Sequence, residues 1–401
     1  ALPILDIDEL FINLNYKLQN FLKNPKENKV IAYDVQMMLL DYILRIENEI
    51  RDIKQRIESN KLICKDKKVK NDIRRELSVE SKNLKELSIV YKEAIKRLRE
   101  IGDSLAFAYF SKYDLKSFCW KQSAGFIGGK DGLKNELTKL KSIFDEGGFA
   151  ILNDITNSLR YGDITVDDNG KPLLLEIKSS SNKNKRIIRQ QQDIDHRMEM
   201  INNDYLESFL GTDKKFKRVY SNTAEVNYIE ELQTLIDKAI LNGSIVKEME
   251  EGLVYNIEYK PKNSDSVRAI VETMKEPKVF FLNEFKNINE NYTPFPMVIK
   301  NNNHLMEFYS GNLLIILFID LEIIKRKIEE KGYLFDINKD KEFIIAFDLN
   351  GENISMNIST YHICRIGREF LSLEWFIAEI ENVVNSIKMG IHNIDFDCKK
   401  N

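Results

Sequence analysis

An aspartate, a glutamate and a lysine flank one tight turn in this chain, at spacings that bring three charged groups together. They are Asp163, Glu176 and Lys178, in the segment YGDITVDDNGKPLLLEIKSS from Tyr161 to Ser180. Asn169-Gly170 between alternating apolar runs is a strong signal for a two-residue β-hairpin turn. That turn pairs Asp168 with Lys171, Val166 with Leu173 and Asp163 with Glu176. The last of these is a non-hydrogen-bonded pair, in which facing side chains approach most closely. Pro172 also falls on a non-hydrogen-bonded pair, where its missing N–H does the ladder no harm. Lys178, two residues past Glu176, shares its face, while Leu173, Leu175 and Ile177 are expected to turn towards a core.

Two opposed carboxylates repel unless a cation lies between them. Hard oxygen ligands suit Mg²⁺ or Mn²⁺, ions that keep several waters. A divalent ion there would polarise a phosphate oxygen and lower the pKa of a bound water, which is the chemistry of phosphodiester hydrolysis. Lys178 is placed to orient that water or to offset charge building on the phosphorus oxygens.

Asp163, a strand, and then Glu176-Ile177-Lys178 resembles the D…(D/E)xK signature of the PD-(D/E)XK nuclease superfamily, over about residues 120–200. The resemblance implies a restriction-endonuclease-like core, a mixed four-stranded sheet flanked by helices, that hydrolyses nucleic acid with Mg²⁺ (or Mn²⁺). Gly162 stands where the family usually has proline. Glu136, in DGLKNELTKLKSIF, best matches the acid many members add from a preceding helix, with Glu146 second. Beyond the hairpin, RIIRQQQDIDHRM sets Arg186, Arg189, Gln190, Asp193 and Arg197 at spacings of three and four, one helical stripe. Gln190 is similar to the family's trailing glutamine. On this resemblance Asp163, Glu176 and the Ile177 carbonyl hold the metal, and Glu136 completes its shell. Lys178 positions the water, while Gln190 with Arg189 or Arg186 holds the scissile phosphate. Asn157 and Arg160, polar residues just before Asp163, are expected to line a substrate groove. The implied activity is a metal-dependent endonuclease, with DNA favoured over RNA; a role in bacterial restriction or anti-phage defence follows by analogy alone. Rival readings are a non-cleaving nucleic-acid-binding module and a scaffold subunit of a defence complex.

The rest of the chain bounds these expectations. Its 401 residues are 43% hydrophobic with a net charge of −3, as in a soluble protein of two or three domains. Near-neutrality argues against a histone-like polyanion binder but leaves room for a local basic surface. Cys64, Cys119, Cys364 and Cys398 lack metal-ligand or disulfide-framework spacing, so a reducing, cytoplasmic compartment is expected. The longest apolar run, Leu313 to Ile319, is too short to span a bilayer.

The expected class is α/β (α+β), in three blocks. Residues 1–105 read as a long helical hairpin: Ile43, Ile46, Ile50, Ile53 and Ile57 recur at helical spacing, as do Leu77, Leu84, Leu87, Tyr91, Ala94, Leu98 and Ile101. The join falls near 60–72, with Lys65, Lys67, Lys68, Lys70, Arg74 and Arg75 at its tip. Residues 106–205 form the nuclease-like core. There Gly125, Gly128, Gly129 and Gly132 fit no nucleotide-binding fingerprint and read as a lid or turn before a helix over 132–145. GGFAILNDITNSLRYGD reads as a short helix feeding the Asp163 strand, and His196 as a solvent-facing helical residue. Residues 206–401 read as a mixed α/β accessory domain, with His362-x-Cys364 alternating on a strand and no zinc site. The helical arm or this domain is the expected route to a homo-oligomer or protein partner.

Overall fold

The computed structural model describes residues 7–115, 118, 125–177, 185–203, 205–206, 216–217, 223–261, 265–285, 292–337, 343–349, 351–358 and 360–389. It is an α+β protein that divides into two compact units, Ala1–Arg218 with Thr293–Val298, and Val219–Tyr292 with Ile299–Asn401. The stretches read from sequence as an arm (1–105) and a core (106–205) thus share one unit.

In the first unit, α1 (Ile7–Leu22) leads through a turn containing Pro25 into α2 (Lys29–Lys65) and then α3 (Asn71–Tyr109). Neither Gly nor Pro interrupts α2. Asp66 ends it, its side chain accepting from the Lys68 N–H at 2.9 Å. The two long helices run antiparallel, as Arg56 and Asn60 of α2 reach Glu80 of α3. Ile43, Ile46, Ile50 and Ile53 are fully buried, each contributing about 2 kcal/mol. Burial on α3 is graded: Leu77, Leu84 and Leu87 are half-buried, whereas Tyr91, Ala94, Leu98 and Ile101 are in the core. Only the base of the hairpin is therefore enclosed. At the tip Lys65, Lys67, Lys68, Lys70 and Arg75 are exposed, while Arg74 folds back onto the Asp66 carbonyl at 2.7 Å.

A short helix α4 (Lys112–Leu115) is followed by α5 (Leu133–Asp145) and three strands, β1 (Ala150–Leu152), β2 (Ile164–Asp168) and β3 (Lys171–Leu175). The strands form a sheet in the order β1-β2-β3, antiparallel throughout. The four-stranded mixed sheet implied by the resemblance is not what the described residues form. Gln36 of α2 occupies the open edge of β1, donating to the Ala150 carbonyl at 2.9 Å and accepting from the Leu152 N–H at 2.9 Å. A buried side-chain amide thus satisfies backbone groups that another strand would otherwise pair. FAIL, expected within a helix, is instead Phe149 and β1, followed by a 3₁₀ turn at Asn153–Ile155. A four-residue apolar run carries no periodicity that separates the two states.

The base of α3 meets that turn closely. A Cβ placed on Gly102 would lie 2.2 Å from the Ile155 carbonyl oxygen. Gly102→Ala is expected to cost about 1–3 kcal/mol of stability, read as a lower midpoint in urea, because both backbones must separate. A midpoint equal to wild type would show that the helix has room to shift.

Helix α6 (Lys185–Asn203) and two-residue strands β4 (Tyr205–Leu206) and β5 (Phe216–Lys217) complete the first stretch of this unit. The second unit begins with α7 (Ile229–Asn242), β6 (Ser244–Glu250), β7 (Leu253–Tyr259), α8 (Asp265–Thr273), β8 (Pro277–Phe281) and α9 (Leu282–Phe285). After α10 (Phe295–Val298), which belongs to the first unit, come α11 (Asn302–Tyr309), β9 (Leu313–Asp320), α12 (Leu321–Glu329), β10 (Leu334–Ile337), β11 (Phe343–Leu349), β12 (Glu352–Ile358), α13 (Thr360–Arg368) and α14 (Leu373–Lys388). The main sheet has the order β6-β7-β9-β8 and is antiparallel. The run Leu313 to Ile319 is its β9, buried on both faces, which explains its unbroken hydrophobicity. A β10-β11-β12 meander turns through Gly351, as the sequence suggested. His362 and Cys364 lie on helix α13, not on a strand; His362 packs on the Trp375 ring at 6.1 Å. No described helix is long and apolar enough to cross a membrane.

Candidate active site

The hairpin has the register read from its turn: Asp168 pairs with Lys171, Val166 with Leu173 and Ile164 with Leu175. Asp163 and Glu176 lie one step beyond the last ladder pair. There the chain departs from the ladder, and the Asp163 N–H donates to the Leu175 carbonyl at 2.8 Å. Gly162 makes this departure possible. Its φ is +69°, and a Cβ would sit 2.8 Å from the Leu175 oxygen. Proline, locked near φ −65°, cannot occupy that backbone.

One face of β3 is deeper than the other, and it is not the expected one. Pro172 and Leu174 are buried, whereas Leu173, Leu175 and Ile177 are half-buried. Glu176 continues the Pro172–Leu174 face, so the carboxylate stands at the margin of the better-packed side.

Asp163 is held from several sides. Its Oδ2 accepts from the Ile177 N–H at 2.7 Å, and its carbonyl accepts from the Asn153 N–H at 2.9 Å. The Asn153 side chain donates to the Tyr161 and Gly162 carbonyls at 2.7 and 3.1 Å and accepts from Thr165 at 2.7 Å. One buried asparagine therefore fixes the loop that delivers Asp163.

Asp163, Glu176, Gln190, Arg160, Gly162, Lys130 and Asp154 line one cavity of about 320 Å³. Gln190 arrives from α6, which is anchored two turns further on. There the buried Arg197 donates to the Tyr161 hydroxyl at 3.0 Å and lies over its ring at 4.9 Å. Seven residues is close to two full turns, so both side chains fall on the same face. His196 is half-buried on this helix and is not among the lining residues; Arg189 is exposed. Lys178 and the Arg186 side chain lie outside the described residues.

Glu136 is set just behind this lining. It shares a buried stripe of α5 with Leu140 and Ile143, and its Oε2 has no hydrogen-bond partner. Burial first, then the charges of Asp163, Asp154 and Glu176, push its carboxyl up to about 7 against the opposing pull of Lys130. Asp163 is also raised, by burial and Asp154, despite the Ile177 N–H and Lys130. Glu146 is exposed at the end of α5, accepting from Ser142 at 2.7 Å.

Asn157 does not line the cavity. Its backbone and side-chain N–H groups both donate to Asp103, at 3.0 Å each, and the side chain also reaches the Lys96 carbonyl. It ties the loop to α3 and leaves the groove role to Arg160.

Asp154 and Lys130 were not singled out from the sequence, and they pair with each other across the cavity wall. Asp154 follows β1 in the 3₁₀ turn. Lys130 sits in the glycine-rich loop, whose Ile127 and Gly128 N–H groups both donate to the fully buried Glu47, at 2.8 and 2.7 Å. That loop is clamped to α2. Glu47→Gln, which keeps one acceptor, is expected to cost about 1–2 kcal/mol. Amide exchange at Gly128 should quicken in the variant, and unchanged exchange would show that the clamp is dispensable.

Asp154, Asp163 and Glu176 in the lining and Glu136 behind it, one of whose carboxylate oxygens is buried and unpaired, are the hard-oxygen chemistry that suits a hydrated Mg²⁺ or Mn²⁺. Among the described residues, no three His, Cys, Asp or Glu side chains are gathered into a ready-made metal cage. Ile177, whose carbonyl the sequence put forward as a ligand, is not among the residues lining the cavity. Comparison with protein-family models, curated proteins and solved structures finds no match.

Proposed function

We propose that the protein is a metal-dependent nuclease acting on phosphodiester bonds, and the observation that carries this is the carboxylate-lined cavity at the end of the hairpin. Asp163, Glu176 and the Ile177 carbonyl would hold Mg²⁺ or Mn²⁺, and Glu136 would complete its surroundings. Such an ion supplies Lewis acidity and a water of lowered pKa. Gln190 and Arg160 face the space a phosphate would enter and can orient it by hydrogen bonds and charge. Burial and the neighbouring carboxylates raise the Glu136 carboxyl to about 7, so near neutrality and without a cation it is divided between protonated and charged forms. Lys178, two residues beyond Glu176, would position the attacking water. DNA as the preferred substrate, a cytoplasmic setting and a defence role rest on the family resemblance alone.

Plasmid, linear and single-stranded DNA and RNA, incubated with Mg²⁺ or Mn²⁺, test this directly. Cleavage that stops in excess EDTA and returns with Mn²⁺ is expected; cleavage persisting in the chelator rules the mechanism out. A second reading, a nucleic-acid-binding module without cleavage, rests on the same lining, since Lys130, Arg160 and Gln190 can hold a phosphate whether or not it is cut. Binding without cleavage under every metal condition would select it.

A further inference from the structure

We propose that Lys130 is the cation that receives the substrate phosphate, and that Asp154 holds its amine while no phosphate is bound. This rests on the nuclease reading and adds to it a residue and a ligand chemistry, a phosphodiester oxyanion. Asp154, Asp163 and Glu176 line the cavity with Glu136 behind them. An entering phosphate meets repulsion unless cations answer it. Among the described lining residues the cations are Lys130 and Arg160. Arg160 already donates from Nη1 to the Thr156 carbonyl at 3.3 Å. Lys130 differs, since its side chain is 39% exposed and ends in an ammonium with three donors, bonded to Asp154.

The loop keeps that lysine in place without tying down its end. Glu47 accepts from two of its N–H groups, and Arg99 Nη2 donates to the Gly125 carbonyl at 3.0 Å. The Lys54 amine lies 4.8 Å above the Phe126 ring. Gly129, at φ +92°, takes a backbone that side chains disfavour. Arg99 also fixes the partner, donating from Nε to the Asp154 carbonyl at 3.0 Å. A fixed backbone and a flexible four-carbon stem let the amine, 39% exposed, turn from the Asp154 carboxylate, 14% exposed, towards an entering oxyanion while staying beside both.

The test measures binding of a short DNA duplex in Ca²⁺ and single-turnover cleavage in Mg²⁺, for wild type, Lys130→Ala, Lys130→Arg and Asp154→Asn. Lys130→Ala should weaken binding at least tenfold and reduce the slope of log affinity against log salt by about one. Lys130→Arg should restore most of both. Asp154→Asn should tighten binding about threefold or more, because the amine no longer has a competing carboxylate. A lysine that merely pins Asp154 would make Lys130→Ala and Asp154→Asn move together, with no change of salt slope, and that overturns the proposal. Cleaving wild type with Lys130→Ala unchanged in affinity overturns it and leaves the nuclease reading standing. A wild-type protein that neither binds nor cleaves any nucleic acid removes both.

Discussion

Asp163→Asn is expected to lower metal-dependent cleavage by at least about 10³-fold, the loss of several kcal/mol of transition-state stabilisation. The amide oxygen can still accept from the Ile177 N–H, which now donates to Asp163 Oδ2 at 2.7 Å. Local structure should therefore persist while the anionic ligand is lost. Stability should not fall at pH 8, since burial and Asp154 already disfavour the charged form of Asp163. Glu176→Gln should behave alike. Cleavage at the wild-type rate in both variants would place the chemistry elsewhere in the molecule.

Glu136→Gln should make the metal-free protein more stable at pH 8, by up to about 3 kcal/mol, and leave it nearly unchanged at pH 4. The sign follows from the direction of the shift. Glu136 is raised from 4.5 to about 7 by burial and by Asp163, Asp154 and Glu176. Between those values the folded protein retains a proton that the unfolded chain has released. Stability therefore falls as pH rises through that window and levels off above it. Glutamine, neutral throughout, does not pass through the fall. A divalent cation should offset the same repulsion, so Mg²⁺ should raise the wild-type unfolding midpoint more at pH 8 than at pH 6. It should do so less in Glu136→Gln. A variant destabilised equally at both pH values would show that Glu136 is well paired and that the ion belongs elsewhere.

Much of this site could be read along the chain because its parts are local. Asn169-Gly170 sets the hairpin register, and the register alone carries Asp163 to the neighbourhood of Glu176. Glu136 shows itself as an acid on the Leu140–Ile143 stripe, and Gln190 lies on a helix with a marked polar spacing. Asp154 and Lys130 gave no such sign. Each sits in a short irregular segment, and their meeting depends on Glu47, about 80 residues before one, and Arg99, 55 residues before the other. Asn157 was misplaced for the same reason: its partner Asp103 is distant in sequence.

The periodic features of the chain determined the two long helices, the hairpin turn and most strands of the second unit. These depend on contacts a few residues apart, where spacing and side-chain type suffice. Tertiary structure alone decided that β1 is a strand with Gln36 on its edge, and that the face bearing Glu176 is the more buried. It also decided that a glycine-rich loop brings a lysine to the acids. Those outcomes are set by burial and by hydrogen bonds between distant segments, and no local spacing encodes which buried polar group will find which partner.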